Sequence, residues 1–198
     1  MQQRIVPILT LLALMAVLAI LGTGGEAAGQ NEADAHIGSI DVALLGNQLV
    51  IDFQLIGGFG EDLQKRIDSG LPTNLVYELE LARDRRSWFD KSVAGGELRV
   101  IAMYNALTRE YLVNYKHDGQ LIGSKVVREP GELRRAMTEI DDLPVFSAEG
   151  RSPDDRFQLR VRAELGTGTV FFFIPHTLRT DWAETAPFRL RDLADKAG

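Results

Sequence analysis

From Arg156 to Leu165 apolar and polar positions alternate without a break. Phe157, Leu159, Val161, Ala163 and Leu165 fall on one side, and Arg156, Gln158, Arg160, Arg162 and Glu164 on the other. A period of two held over this length predicts a β-strand with one dry face and one wet face. Such a strand is stable only inside a sheet whose apolar face is covered, so other strands must supply the cover.

The same period recurs upstream. Ile40, Val42 and Leu44, then Gly46-Asn47, then Leu49, Ile51, Phe53 and Leu55 predict a hairpin. The glycines around Phe59 open a short helix over Glu61–Ser69, with Leu63 and Ile67 one turn apart and Gly70 closing it. A third strand follows Leu71-Pro72, turning Leu75, Tyr77, Leu79 and Leu81 inward and Glu78 and Glu80 outward. Arg83 to Asp90, containing Arg85, Arg86, Trp88 and Phe89, reads as a charged and aromatic connection. Gly95-Gly96 precedes a fourth strand over Glu97–Ala106. Its apolar residues on both faces, Leu98, Val100 and Ala102 against Ile101 and Met103, predict cover on each side.

Arg109 to His117 and Gln120 to Arg128 form a hairpin about Asp118-Gly119, a turn whose central positions both need positive φ. Pro130 opens a second helix, striped by Leu133, Ala136, Met137 and Ile140 and ended by Asp141, Asp142 and Pro144. Beyond the alternating stretch, Gly166 to Gly168 reads as a break and Val170 to Ile174 as a continuous apolar run. Arg179 to Leu190 is mixed, anchored by Trp182 and Phe188. Frequent turns and clean alternation favour antiparallel pairing over βαβ units. The expectation is a mainly β (α+β) chain, a single antiparallel β-sandwich-like domain with two short helices.

The N-terminus adds an address. Met1 to Arg4 is weakly basic, Ile5 to Leu21 carries no charge, and Ala27 and Gly29 are spaced for a signal-peptidase cut. Residues 1–29 therefore read as a signal peptide or as an uncleaved membrane anchor, 30–36 as a linker and 37–198 as the domain. A buried core helix is the bland alternative, disfavoured because the run is apolar all round. No cysteine follows the run, which excludes a bacterial lipoprotein anchor. Either way the domain is expected in the periplasm or on the extracytoplasmic face of the inner membrane.

Composition narrows the chemistry. About 170 residues after the leader suffice for one core. A net charge of −6 makes nucleic acid a poor partner, since such binding needs a basic surface to displace counterions. Absence of cysteine excludes disulfides, thiolate metal sites and a cysteine nucleophile. His36, His117 and His176 lack metal-ligand spacing, and no nucleophile signature is present. The pairs Glu61/Asp62, Asp141/Asp142 and Asp154/Asp155 are accounted for by helix ends and solubility rather than glycosidase chemistry. Gly57 to Gly60 is no phosphate loop, because Glu61 and Asp62 stand where a phosphate would sit.

Several short pieces together carry a family resemblance. They are Phe53 to Leu55, Asp68 to Pro72, Tyr77 to Arg83, Trp88 to Asp90, Leu107 to Tyr111, Val161 to Leu165 and Thr180 to Trp182. In order and spacing the chain resembles the bacterial secreted family catalogued as domain of unknown function 4390, over nearly the whole domain. The resemblance implies an exported envelope protein. Members are often encoded beside a transmembrane sensor kinase, which implies a link to such a kinase. It transfers no catalytic residue, and Val170 to Pro187 is where it helps least.

Two stretches remain as candidate interaction sites. The outward row Arg156, Arg160 and Arg162 is either a solvated face paired with Glu78 and Glu80 or a docking face for an acidic partner or lipid headgroup. Phe171, Phe172 and Phe173 are either buried on both sides or offered to a membrane or partner. The sequence thus points to a non-catalytic interaction or accessory protein of the cell envelope, with no cofactor, no metal and another envelope or membrane protein as partner. Membrane contact would come through the N-terminal segment if that is uncleaved. The alternative is a carrier of an apolar ligand or lipid, suggested by Tyr77, Tyr104, Tyr111 and the phenylalanine run. A hydrolase comes last, for want of a nucleophile and base.

Overall fold

The computed structural model describes residues 35–84, 91–170 and 174–196, without the side chains of 91, 167–170 and 174–177. The leader, most of the linker and the connection carrying Arg85, Arg86, Trp88 and Phe89 lie outside the described residues. No described helix is long and apolar enough to cross a membrane.

The strands are β1 (His36–Leu45), β2 (Gln48–Ile56), β3 (Thr73–Arg83), β4 (Lys91–Asn105), β5 (Glu110–His117) and β6 (Gln120–Val127). They continue with β7 (Glu139–Ser147), β8 (Arg156–Val170), β9 (Ile174–Arg179), β10 (Ala183–Glu184) and β11 (Phe188–Arg189). Among the described residues, helices α1 (Glu61–Asp68) and α2 (Pro130–Thr138) complete the set, with a 3-10 turn at Leu190–Asp192. All ladders are antiparallel. A small sheet runs β1-β2-β7 and a large one β10-β8-β3-β4-β5-β6, with β9 and β11 also paired to β8. This is a mostly β, sandwich-like architecture with two helices.

One core joins the layers. Leu49, Ile51, Phe53 and Leu55 from the small sheet meet Leu75, Tyr77, Leu79, Leu98, Leu159 and Val161 from the large one. Phe53 meets Tyr77 edge to face at 5.1 Å, an arrangement suited to the ring quadrupole. Tyr77 is fully buried, and its hydroxyl donates to the Met137 carbonyl at 2.8 Å. That bond ties α2 to the large sheet, and burial pushes the phenol well above its ordinary pKa. The Tyr111 hydroxyl likewise donates to Asp68 at 2.7 Å, tying in α1. Burial and the Asp68 carboxylate push that phenol up to about 12.

Local rules explain most boundaries. Asp118 and Gly119 both have positive φ, 47° and 81°, as a tight two-residue turn requires. Gly70, at φ 81°, follows the end of α1. The Glu132 carboxylate accepts from the Arg128 and Glu129 N–H groups at the start of α2.

Four sequence-based expectations are overturned. Gly95 and Gly96 do not precede β4 but lie inside it, opposite Glu80 and Leu79. A Cβ at Gly96 would stand 3.1 Å from His117 Nε2, so this glycine serves close approach rather than a turn. Only one face of β4 is covered: Leu98, Val100 and Ala102 are buried, whereas Met103 is exposed. The second helix stops at Thr138, and Asp141, Asp142 and Pro144 belong to β7 rather than to a helix end. Register shifts and the positive φ of Asp142 break the period of two there, and an edge strand tolerates Pro144. Finally, β8 continues through Gly166 to Val170. Gly166, at φ 133°, falls where the β8–β9 register shifts, and Val170 pairs with Ile174 across two strands. Val170 to Ile174 is therefore no single strand, and Phe171 to Phe173 lie outside the described residues.

The C-terminus is strapped to β1. Leu44 N–H donates to the Ala194 carbonyl at 2.9 Å, and Lys196 N–H to the Leu44 carbonyl at 2.7 Å. The Lys196 ammonium then reaches Asp52 and Asp142, each at 2.6 Å. Burial opposes the charge on Asp52, but Lys196 and the Asp142 N–H outweigh it and hold the carboxyl below its ordinary pKa.

Two outcomes are expected. Leu159→Ala, at a position fully shielded from solvent, should destabilise by about 2–5 kcal/mol in denaturant unfolding. Because the Asp52 pKa is lowered on folding, its contribution is present at neutral pH and lost as pH falls through the folded-state value. Amide protection at Leu44 and Lys196, corrected for intrinsic exchange, should weaken below about pH 4, and Asp52→Asn should flatten that acid response.

Candidate functional site

The wet face of β8 and β3 gathers the charged residues that the sequence singles out. Antiparallel register sets Glu78 directly opposite Arg162 and Glu80 opposite Arg160. Alternation sends all four side chains to the face away from the core. The Arg162 Nε and Nη2 donate to one Glu78 oxygen at 3.1 and 2.5 Å. Arg160 reaches Glu80 at 2.7 Å and Glu184 at 3.6 Å. Farther along, Arg156 pairs with Asp84 at 3.1 Å, and Arg83 with Asp155 at 2.5 Å.

The segment from β9 to β10 adds Arg179, which the sequence did not mark, and Trp182, which it marked only as an anchor. Arg179, at the end of β9, contacts Glu78 at 3.4 Å and Glu164 at 3.3 Å. Trp182, half-buried, lies against both central arginines. Its ring is 4.4 Å from the Arg162 guanidinium carbon and 5.5 Å from that of Arg160. Thr180 sets the approach of this segment: its N–H donates to the Ala163 carbonyl at 2.9 Å, while its Oγ1 accepts from the Ala163 N–H at 3.0 Å. Thr185 repeats the device at Leu159, with bonds of 2.9 and 3.1 Å.

The electrostatics are balanced. Burial disfavours the charge on Arg160, yet Glu80 and Glu184 raise its pKa still further. Each arginine of the row faces a carboxylate, so the face is a lattice of planar groups around an indole, not an open cationic patch. Arg160 Nε, on this face, and His117 Nε2, elsewhere, are buried without a hydrogen-bond partner among the described residues. In the sequence the arginine row with Glu78 and Glu80 is visible by alternation and Trp182 as an anchor, whereas Arg179 and Glu184 carry no such signal.

Elsewhere, the tyrosines cited for ligand binding are engaged in packing and hydrogen bonds. Tyr77 is core, Tyr111 is bonded to Asp68, and Tyr104 packs against Tyr111 at 4.9 Å. A cleft of about 520 Å³ does open between the helices, lined by Gln64, Lys65, Pro130, Arg134, Arg135 and Glu139 among others. Among the described residues no three His, Asp or Glu side chains are grouped as metal ligands.

The family model described as a domain of unknown function, DUF4390, matches residues 32–183. The chain belongs to the DUF4390 family. Its matched span runs from the approach to β1 through Trp182, so the DUF4390 domain includes the whole β3–β8 lattice. The β11 strand and the C-terminal strap of this DUF4390 protein lie beyond it. No curated protein and no solved structure matches the chain.

Reversing Arg160 and Arg162 to Glu together should lower stability by roughly 1–3 kcal/mol, because carboxylates would then face carboxylates on a partly buried surface. Adding Glu78→Arg and Glu80→Arg should restore much of that loss in the same denaturant titration.

Proposed function

We propose that this is an exported cell-envelope protein without catalytic activity. It acts as an interaction module for another envelope protein, with the extracytoplasmic part of a membrane sensor kinase as the favoured partner. The supporting observation is the lattice around Trp182. Arg160, Arg162 and Arg179 are held by Glu78, Glu80 and Glu164 in fixed orientations beside a half-buried indole. Tryptophan and arginine are the side chains most enriched at the energetic centres of protein interfaces. Pre-ordered planar groups lose little freedom when a partner covers them. A balanced lattice also discriminates, since a wrong partner must break ion pairs without replacing them. The uncharged run Ile5 to Leu21 supports export.

A carrier role is the second reading. The cleft between α1 and α2 has the size of a small-molecule site. Arg134 and Arg135 on its wall would select a ligand with an acidic head. Native mass spectrometry of protein purified from envelopes should then show a co-purifying acid, and none would count against the carrier.

For the interaction module the measurement is crosslinking in intact envelopes, with N-terminal sequencing of the same material. Trp182→Ala is expected to weaken capture of a membrane protein roughly thirtyfold. Unfolding should shift by about 1–2 kcal/mol, the contribution of a half-buried indole and its cation–π contacts. Equal capture by the variant, or a native protein confined to the cytosol with its first residues intact, would sink this reading.

A further inference from the structure

The outer face of the small sheet carries a cation site that the chain fills with its own strap. Register sets Asp41 of β1 directly opposite Asp52 of β2. Beyond β2, Ile51 faces Leu143 and Phe53 faces Ile140, so Asp141 and Asp142 together oppose the single residue Asp52. Two residues against one make a bulge. Asp142 completes it at φ 51°, a conformation that is costly outside glycine and persists where the surroundings enforce it. Its N–H donates to Asp52 Oδ1 at 2.6 Å, and this bond brings the two carboxylates to one point.

Like charges directly opposite one another destabilise a sheet. Asp41, Asp52 and Asp142 form such a row across three strands, and Lys196 supplies its counter-ion. The ammonium meets Asp52 Oδ2 and Asp142 Oδ1, each at 2.6 Å. Asp41 makes no ion pair among the described residues. Three carboxylates around one ammonium leave the site acidic even when it is filled.

The strap that delivers Lys196 is lightly held. Leu190 is buried and Leu193 packs partly against the core, but beyond them the backbone bonds to β1 go to one residue, Leu44. They close a single parallel bridge, Leu44 to Asp195, in a fold whose ladders are antiparallel. The side chains of the clamp stay partly open to solvent, Asp142 at 70%, so salt screens them. All three aspartates lie inside the span matched by the DUF4390 model, and the strap lies beyond it. An extended backbone on a sheet edge, with one side chain in a specific site, is how strand addition reads a peptide.

We propose that residues 194–196 are a displaceable latch: the outer edge of β1 and the Asp41–Asp52–Asp142 row take an extended, lysine-bearing segment of the partner protein in place of the strap. The proposal deepens the interaction-module reading and rests on it for the existence of a partner. The chemistry of the occupant is that of the strap itself, an extended chain on Leu44 with an ammonium between two carboxylates, and the uncompensated Asp41 favours a segment with further positive charge. A segment tethered in cis competes at a roughly millimolar effective concentration. The latch therefore keeps out weak segments and yields to one with more cations for the acidic row.

Two measurements test this. In the unaltered full-length chain the Leu44 amide, which donates to Ala194, should exchange by local opening. Its protection should be roughly a hundredfold below that of the Leu159 amide and should fall further with added salt. Exchange of both amides together, through global unfolding, would overturn the latch. Full-length Lys196→Glu, whose strap the row repels, is then titrated with an acetylated peptide of residues 193–198, Leu-Ala-Asp-Lys-Ala-Gly. Amide NMR shifts at Leu44, Asp52 and Asp142 should saturate at peptide concentrations roughly tenfold lower than for the unaltered chain. A peptide with alanine in place of its lysine should move none of them, and Asp52→Asn in the same variant should weaken the response. A folded variant that binds the peptide no better than the unaltered chain overturns the docking edge, and binding indifferent to the lysine overturns the clamp. Loss of the native spectrum in Lys196→Glu makes the strap structural and overturns the latch. None of these outcomes touches capture by Trp182→Ala, so the interaction reading stands or falls separately.

Discussion

The architecture depends on the saturation of both edges of β8. On one side β3 pairs with it from Phe157 to Glu164. On the other, β11, β10 and β9 take successive lengths of the same strand, and Thr185 and Thr180 fill the intervals with hydroxyl and backbone bonds. No stretch of β8 from Phe157 to Ala163 has to find water for its outer backbone groups. Its apolar face can therefore lie at the centre of the core, where Phe157, Leu159, Val161 and Ala163 are almost wholly shielded. A long, regular strand left open would be a template for aggregation, and the short C-terminal pieces remove that hazard.

The same lacing builds the outer face. Because β9 and β10 must follow the edge of β8, Arg179 and Trp182 arrive beside Arg162 whatever else they do. Register then puts Glu78 and Glu80 opposite the arginines, so the desolvation of each charge is offset by a partner at short range. Stability and presentation come from one arrangement. The groups that a partner would touch are already immobile because the sheet needs them paired. The β4–β6 part of the large sheet has the opposite character, with Met103 and Val126 uncovered.

Regular elements were legible from sequence wherever periodicity and local turn chemistry agree. The hairpin about Gly46-Asn47, the two-residue turn at Asp118-Gly119, α1 and the inward set Leu75, Tyr77, Leu79 and Leu81 all emerge as read. Failures cluster where tertiary contacts excuse a local irregularity. β7 hides behind a bulge at Asp142 and a proline that only an edge strand accepts. Gly95 and Gly96 looked like a break, yet the close approach of His117 demands the second of them. The site was half visible. The arginine row, Glu164 and the carboxylates opposite stood out by alternation, whereas Arg179 and Glu184 reach the site through pairings between segments distant in the chain.

Alternation at Arg156 to Leu165 was enough to specify a strand, its dry face and its class of partner, since side-chain direction in a strand follows from covalent geometry alone. The uncharged run near the N-terminus was enough to suggest an address. Which strands would flank β8, and hence which carboxylate meets which guanidinium and where Trp182 rests, could not be read that way. Those facts depend on register and strand order, which are set by the joint packing of both sheets and by hydrogen bonds between residues far apart in the chain.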